Sequence, residues 1–297
     1  MSATLEHIPP GAAVVIVRLR SLGDCVLTTP ALALLKEARP DLRIAIVVED
    51  RFRELFDGHT VLSPSVKEIR SWKPKLAINF HGGVRSSILT ALSGAPLRAG
   101  FAHFRHSWIY NVPLPRAQEV LKVERTVHTA EHLASAMFHL GVPLKPIPPA
   151  NLGPVPPAGH SRAYAILHPY ASEPAKTWPA ARFFQIAAWL NSELNLEPIF
   201  VAGPNEDLSA FTPWRTITGA PLKTLIANAA LFLGNDSGPA HIAAAFHVPT
   251  VVIFGASDPR IWSPWRTPSE VLNGAGNIQS VTVNQVVEAL ARLRVPA

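Results

Sequence analysis

Asp236, Ser237 and Gly238 close the turn Gly234-Asn235-Asp236-Ser237-Gly238, behind an apolar run over 230–233 and ahead of Pro239, a residue suited to the first turn of a helix. Strand, tight polar turn and helix in that order bring free backbone N–H groups and the positive end of a helix dipole to the carboxyl edge of a sheet, where phosphate binds. An ordinary capped turn fits the same letters, with Asp236 or Ser237 satisfying the helix. Asp24 ends the stretch Leu19-Arg20-Ser21-Leu22-Gly23-Asp24 after another apolar run, with Gly23 allowing a tight loop. A carboxylate there suits a general base, and it equally suits a helix cap. Lys176, in Pro174-Ala175-Lys176-Thr177-Trp178-Pro179, offers an ammonium to charge growing on a departing phosphate, or is a solvated surface lysine. Ser172 adds a hydroxyl nearby. His241 falls on the first turn after Pro239, as a site group or a packing residue, and Gly203-Pro204 and 218–222 are placed by position to flank a base.

Positioning these groups requires strands that end beside them. Apolar runs at 13–17, 43–48, 75–80 and 97–101, interleaved with helical periodicity at 26–38, 84–92 and 130–140, give the rhythm of a parallel α/β sheet. Residues 142–160, rich in proline and glycine, break the pattern and read as a semi-rigid connector. A second series follows: strands at 163–168, 198–202, 230–233 and 250–254, and helices at 180–194, 222–228, after Pro239, and at 283–293. The G-x-G-x-x-G fingerprint of dinucleotide binding is missing after the first strand, which counts against NAD.

Composition narrows the classes. The 297 residues are 48% hydrophobic, enough for two α/β cores, and no run approaches the roughly 20 apolar residues of a spanning helix. A single cysteine, Cys25, leaves no internal disulfide, and the N-terminus has no signal-peptide pattern, so a cytoplasmic protein is expected. A net charge of +6 favours anionic partners. Arg98, His103, Arg105 and His106, interleaved with Phe101, Phe104 and Trp108, suit an anionic amphiphile; without a recognition-module signature, nucleic acid is not expected. His128-Thr129-Ala130-Glu131-His132 has the H-x-x-E-H spacing of a zinc pair, but no third ligand is recognisable and the same letters open an amphipathic helix. Trp262 and Trp265 fit either a site wall or packing of the last helix.

Taken in order, Ser21-Leu22-Gly23-Asp24, the 76–101 block with His81-Gly82-Gly83 and Arg98-Ala99-Gly100-Phe101, Ala175-Lys176-Thr177-Trp178-Pro179, Asp236-Ser237-Gly238 with His241, and Val251-Val252-Ile253-Phe254-Gly255 resemble the ADP-heptose:lipopolysaccharide heptosyltransferases, glycosyltransferase family 9. The resemblance spans nearly the whole chain. It implies the GT-B architecture: two Rossmann-like α/β domains with parallel sheets facing a central cleft, residues 1–150 binding the acceptor and 151–297 the nucleotide sugar. It implies inverting, metal-independent transfer of heptose from ADP-heptose to a lipopolysaccharide inner-core acceptor, an anionic glycolipid, at the cytoplasmic face of the inner membrane. Asp24 is then the catalytic base, and Ser172, Lys176, Gly203, Asp236, Ser237, Gly238 and His241 bind the donor, with no metal or other cofactor. Another nucleotide sugar and glycan, or a non-catalytic sugar-nucleotide-binding protein, are the alternatives. Two departures bear on the acceptor: Asn79 stands where many relatives carry Asp, and the cysteine-containing C-terminal segment of some relatives is absent.

Overall fold

The computed structural model describes residues 4–157, 159, 162–218 and 221–293. The chain divides into two compact units, Met1–Gly153 and Pro154–Ala297. In the first, β1 (Ala13–Val17), β2 (Arg43–Val47), β3 (Thr60–Leu62), β4 (Pro74–Asn79), β5 (Leu97–Phe101) and β6 (Val112–Leu114) form one sheet in the order β3-β2-β1-β4-β5-β6. The second holds β7 (Tyr164–His168), β8 (Glu197–Ala202), β9 (Arg215–Thr218), β10 (Leu231–Asn235), β11 (Thr250–Phe254) and β12 (Ser269–Asn273), in the order β12-β11-β10-β7-β8-β9. Every pairing is parallel. Both orders are the same doubly wound, Rossmann-like arrangement, the pair expected of GT-B.

The sequence explains the centre of each sheet directly. Ala13–Val17 is Ala-Val-Val-Ile-Val and buried at every position, as a strand covered by helices on both faces must be. Tyr164–His168, Leu231–Asn235 and Thr250–Phe254 are likewise buried throughout. Sequence reading misses β3, β6, β9 and β12, which are the four edge strands. They are short or only half buried, so they carry little of the apolar signal on which strand recognition depends.

Reversals of strand order fall between β1 and β4 in one unit and between β7 and β10 in the other, the places where open α/β sheets bind ligands beyond their carboxyl ends. The segments meeting there carry Asp24 and His81 in the first unit, and Lys176 and Asp236 in the second. Two expected boundaries shift. The first helix is Leu22–Ala38, so Gly23 and Asp24 lie in its first turn rather than in a preceding loop. Strand β10 runs on to Asn235, and the following helix is Gly238–Ala245, with Pro239 at its second position.

The proline-rich stretch is packed rather than free. Val142, Ile147, Ala150 and Leu152 are buried, and the Asn151 amide donates to the Thr29 hydroxyl at 3.0 Å, so the strap as far as Gly153 belongs to the first unit and the rest to the second. Of the expected connector, residues 158 and 160 lie outside the described residues.

In the second unit the fully buried Asn235 side chain accepts from the Trp178 amide at 3.0 Å and donates to the Pro169 carbonyl at 2.9 Å. Asn235→Ala leaves both backbone groups unpaired in the interior and is expected to cost about 2–4 kcal/mol, read as a lower urea midpoint with unchanged slope.

Candidate active site

Asp24 is the third residue of its helix. Its carboxylate accepts from the Ser21 amide at 3.3 Å and hydroxyl at 3.1 Å, closing a capping box, and it forms an ion pair with Arg18. Arg18, the first residue after β1, is buried and also donates to the Phe80 carbonyl beyond β4, so one guanidinium spans the strand-order reversal. The capping and site readings of Asp24 therefore coincide in one group. His81 meets the same loops, its Nδ1 lying 3.1 Å from the Arg20 carbonyl; burial, then Arg18, pushes its pKa down. The His81 and Gly82 amides donate to Asn79 Oδ1 at 2.9 and 3.2 Å, and Asn79 Nδ2 donates to Tyr110 and Ser86. A Cβ at Gly100 would overlap the Tyr110 ring, so glycine lets that ring lie over β5 and reach Asn79.

In the second unit Lys176 Nζ lies 3.9 Å from Asp236 Oδ2, and the Ser257 hydroxyl donates to the same carboxylate. Burial pushes the Asp236 pKa up, against the opposing pull of Ser257 and then Lys176. Ser237 directs its hydroxyl to the Asn235 carbonyl at 3.1 Å and lies 3.1 Å from His168 Nδ1, leaving the first amides of the helix uncapped by its side chain. Pro239 has no N–H and the Ala240 amide donates to the Ser237 carbonyl at 3.2 Å, which leaves the Gly238 amide without an intrahelical acceptor. His168 Nε2 stands 3.7 Å from Glu206, which accepts from the Gly203 amide at 2.7 Å; the His168 ring holds the Glu206 carboxyl below its usual range. The structure thus gathers Lys176, Asp236, Ser237 and Gly238 at one place, with Gly203 joined to it through Glu206 and His168.

Position of the lysine loop is set from two sides. Trp178 is fully buried and its Nε1 donates to the Val281 carbonyl at 2.8 Å, anchoring one end. Gly255, just past β11, lies so near the Ala175 carbonyl that a Cβ would overlap it. Ser172 is exposed in the same loop. His241 is buried on the helix's first turn. Trp262 and Trp265 are half-buried and outside the core that the last helix covers. Of 218–222, residues 219 and 220 lie outside the described residues.

Sequence reading did not assign Arg18, His168, Glu206 or Ser257. Their shared signal is position: each lies at or shortly beyond the carboxyl end of a strand. The H-x-x-E-H residues are engaged otherwise. His128 Nδ1 accepts from the Ala130 amide, Glu131 accepts from the His128 amide and pairs with Arg125, and His132 stacks on Phe101 with ring centroids 4.0 Å apart. Burial, then His103 and Arg18, lowers the His132 pKa to about 4. Among the described residues no three His, Cys, Asp or Glu side chains group as metal ligands.

Comparison with known proteins agrees with this arrangement of loops and strands. The family model of glycosyltransferase family 9 (heptosyltransferase) matches residues 65–212 and 220–287. Lipopolysaccharide heptosyltransferase 3 of Escherichia coli is 27% identical over 289 residues, covering 83% of this chain and 84% of that protein. Among solved structures, a glycosyl transferase family 9 protein from Veillonella parvula DSM 2008 is similar with a TM-score of 0.83 at 21% identity, covering all of both chains. The E. coli heptosyltransferase WaaC with ADP is similar with a TM-score of 0.78 at 17% identity, over 95% of this chain and 99% of that one.

The raised pKa of Asp236 has a measurable sign. A carboxyl whose folded pKa lies above its unfolded one costs stability once ionised; that cost is absent below the unfolded value, 3.8, and full above the folded one. Asp236→Asn should therefore stabilise the protein at neutral pH by on the order of 1 kcal/mol. In urea unfolding the advantage should close as pH falls below 3.8.

Proposed function

This chain belongs to glycosyltransferase family 9, the heptosyltransferases, and we propose that it transfers heptose from ADP-heptose to a lipopolysaccharide inner-core acceptor with inversion and without a metal ion. The observation carrying this reading is Lys176 held 3.9 Å from Asp236 beside the uncapped start of the helix Gly238–Ala245. In this reading the second unit binds the donor and the first the acceptor. Asp24 takes the proton from the acceptor hydroxyl as its oxygen attacks the anomeric carbon; the bond to the ADP oxygen breaks on the opposite face. Arg18 and Ser21 hold the Asp24 carboxylate in place for the transfer. Negative charge grows on the β-phosphate, and the Lys176 ammonium with the Ser237 and Gly238 amides meets it. Asp236 accepts hydrogen bonds from the sugar, with Ser257 fixing its carboxylate. Ser172, Gly203 and His241 complete the donor pocket. The acceptor is an anionic glycolipid, met by a cytoplasmic protein at the inner face of the membrane.

Titration calorimetry without metal should give selective ADP binding over UDP, GDP and NAD, weakened at least about tenfold by Lys176→Ala, roughly 1.4 kcal/mol. A preference for UDP would redirect the donor, and no nucleotide binding would overturn the reading.

Asp24→Asn should lower transfer by about 10²–10⁴-fold while leaving ADP affinity unchanged. Turnover retained in that variant removes Asp24 as the base, and turnover lost on adding a chelator removes metal independence.

A further inference from the structure

The exposed large hydrophobic side chains among the described residues are Val84, Ile88, Leu92, Trp108 and Leu144, all in the first unit. Three of them make one stripe. Val84, Ile88 and Leu92 stand four residues apart on the helix Val84–Ala91 and its C-cap, at 58%, 51% and 49% exposure, with Ala91 exposed between the last two turns. The opposite face, Ser86, Ser87, Leu89 and Thr90, is buried, so the helix turns an apolar face to solvent, the reverse of the usual arrangement. Trp108, at 82% exposure, is carried by the loop beyond β5, and that loop packs on the helix start: the Phe104 ring lies against Gly82, and the Tyr110 hydroxyl accepts from Asn79.

The segment that builds this face carries charge of one sign. From Ile69 to Gln118, 50 residues, the chain has no Asp or Glu, but it has Arg70, Lys73, Lys75, Arg85, Arg98, Arg105 and Arg116. Seven positive and no negative residues give +7, more than the +6 of the whole chain, so the remainder is slightly acidic. Arg85 on the exposed helix face and Arg105 in the loop of Trp108 are both exposed.

We propose that Val84, Ile88, Leu92 and Trp108, with Arg85 and Arg105, form a surface that docks on an anionic lipid bilayer. An apolar helical stripe bordered by arginines and an exposed tryptophan matches the boundary between acyl chains and anionic headgroups. The helix Val84–Ala91 and the loop of Trp108 carry no carboxylate for such lipids to repel; Glu49, at the edge of this surface, is paired with Arg85 at 3.8 Å. The inference rests on the membrane-linked acceptor of the proposed function, and it specifies which side of the first unit meets the bilayer.

The test is co-sedimentation of the full chain with vesicles of phosphatidylcholine alone and of an equal mixture with phosphatidylglycerol, at low and high salt. Wild type should bind the mixed vesicles, weaken with salt, and bind phosphatidylcholine poorly. Ile88→Glu with Leu92→Glu should lower mixed-vesicle binding on the order of tenfold or more, and Arg85→Gln with Arg105→Gln should remove mainly its salt-sensitive part. Thermal unfolding should be unchanged, since all four positions are exposed. ADP titration without vesicles reads the proposed donor site separately: normal ADP binding with no vesicle binding overturns the surface alone. Equal vesicle binding by the Glu pair also overturns it. So does a wild-type dimer dispersed by that pair, which would make the stripe a contact between copies.

Discussion

Two buried asparagine amides, Asn79 at the end of β4 and Asn235 at the end of β10, hold the turns that leave the centre of each sheet. Each closes the fourth strand of its sheet, beside the reversal of strand order, and neither has exposed surface. An amide offers acceptor and donor together, and both are used: Asn79 accepts from two amides of the His81 turn and donates to Ser86 and Tyr110, while Asn235 joins the Trp178 amide to the Pro169 carbonyl. Aspartate could not donate, and at position 235 an ionised side chain would face a carbonyl oxygen in the interior. The neutral residue at 79 is therefore more than a departure from a family pattern: here it fits a network that needs a donor. Because any other loop arrangement strands buried polar groups, each network selects one.

The charges beyond these strand ends are held in two different ways. Burial pushes the Asp236 pKa up, and the Ser257 hydroxyl and then Lys176, at 3.9 Å, only partly offset that cost. A closer contact would stabilise the pair and leave both groups less able to meet a ligand. Arg18 and Asp24 show a tighter solution, an ion pair reinforced by the Ser21 hydrogen bonds, which fixes where the carboxylate stands. Sites built this way hold free energy that folding alone would release.

Much of this was legible in the sequence, and the reason differs by element. Core strands such as Ala13–Val17 and Thr250–Phe254 announce themselves because both faces are covered, leaving an unbroken apolar run. Edge strands such as Arg215–Thr218 do not, because one side has no partner and the side chains are largely exposed. The repeat of one strand order in both units has no counterpart in repeated letters, since hydrophobic pattern fixes the winding without fixing residues. Asp236, Ser237 and Lys176 could be found because strand, turn and helix are local. His168 and Glu206 could not, because their meeting depends on β7 and β8 lying side by side, which no short motif encodes.

The same winding yields two different sites because the first connections differ in length. After β1 the chain enters its helix at Leu22, so the charged groups must come from the strand's own exit and the helix's first turn, and Arg18 and Asp24 are fixed by neighbouring backbone. After β7 the helix does not begin until Ala180, and the intervening residues form a loop pinned by Trp178 and by the close approach of Gly255 to Ala175. A short connection gives a rigid carboxylate already engaged with its counter-ion. A long connection with buried anchors lets an ammonium stand at a distance from its carboxylate, with room for another anion to come between. Connection length, more than residue type, thus divides a carboxylate engaged with its counter-ion from a carboxylate and ammonium held apart, on two sheets of the same design.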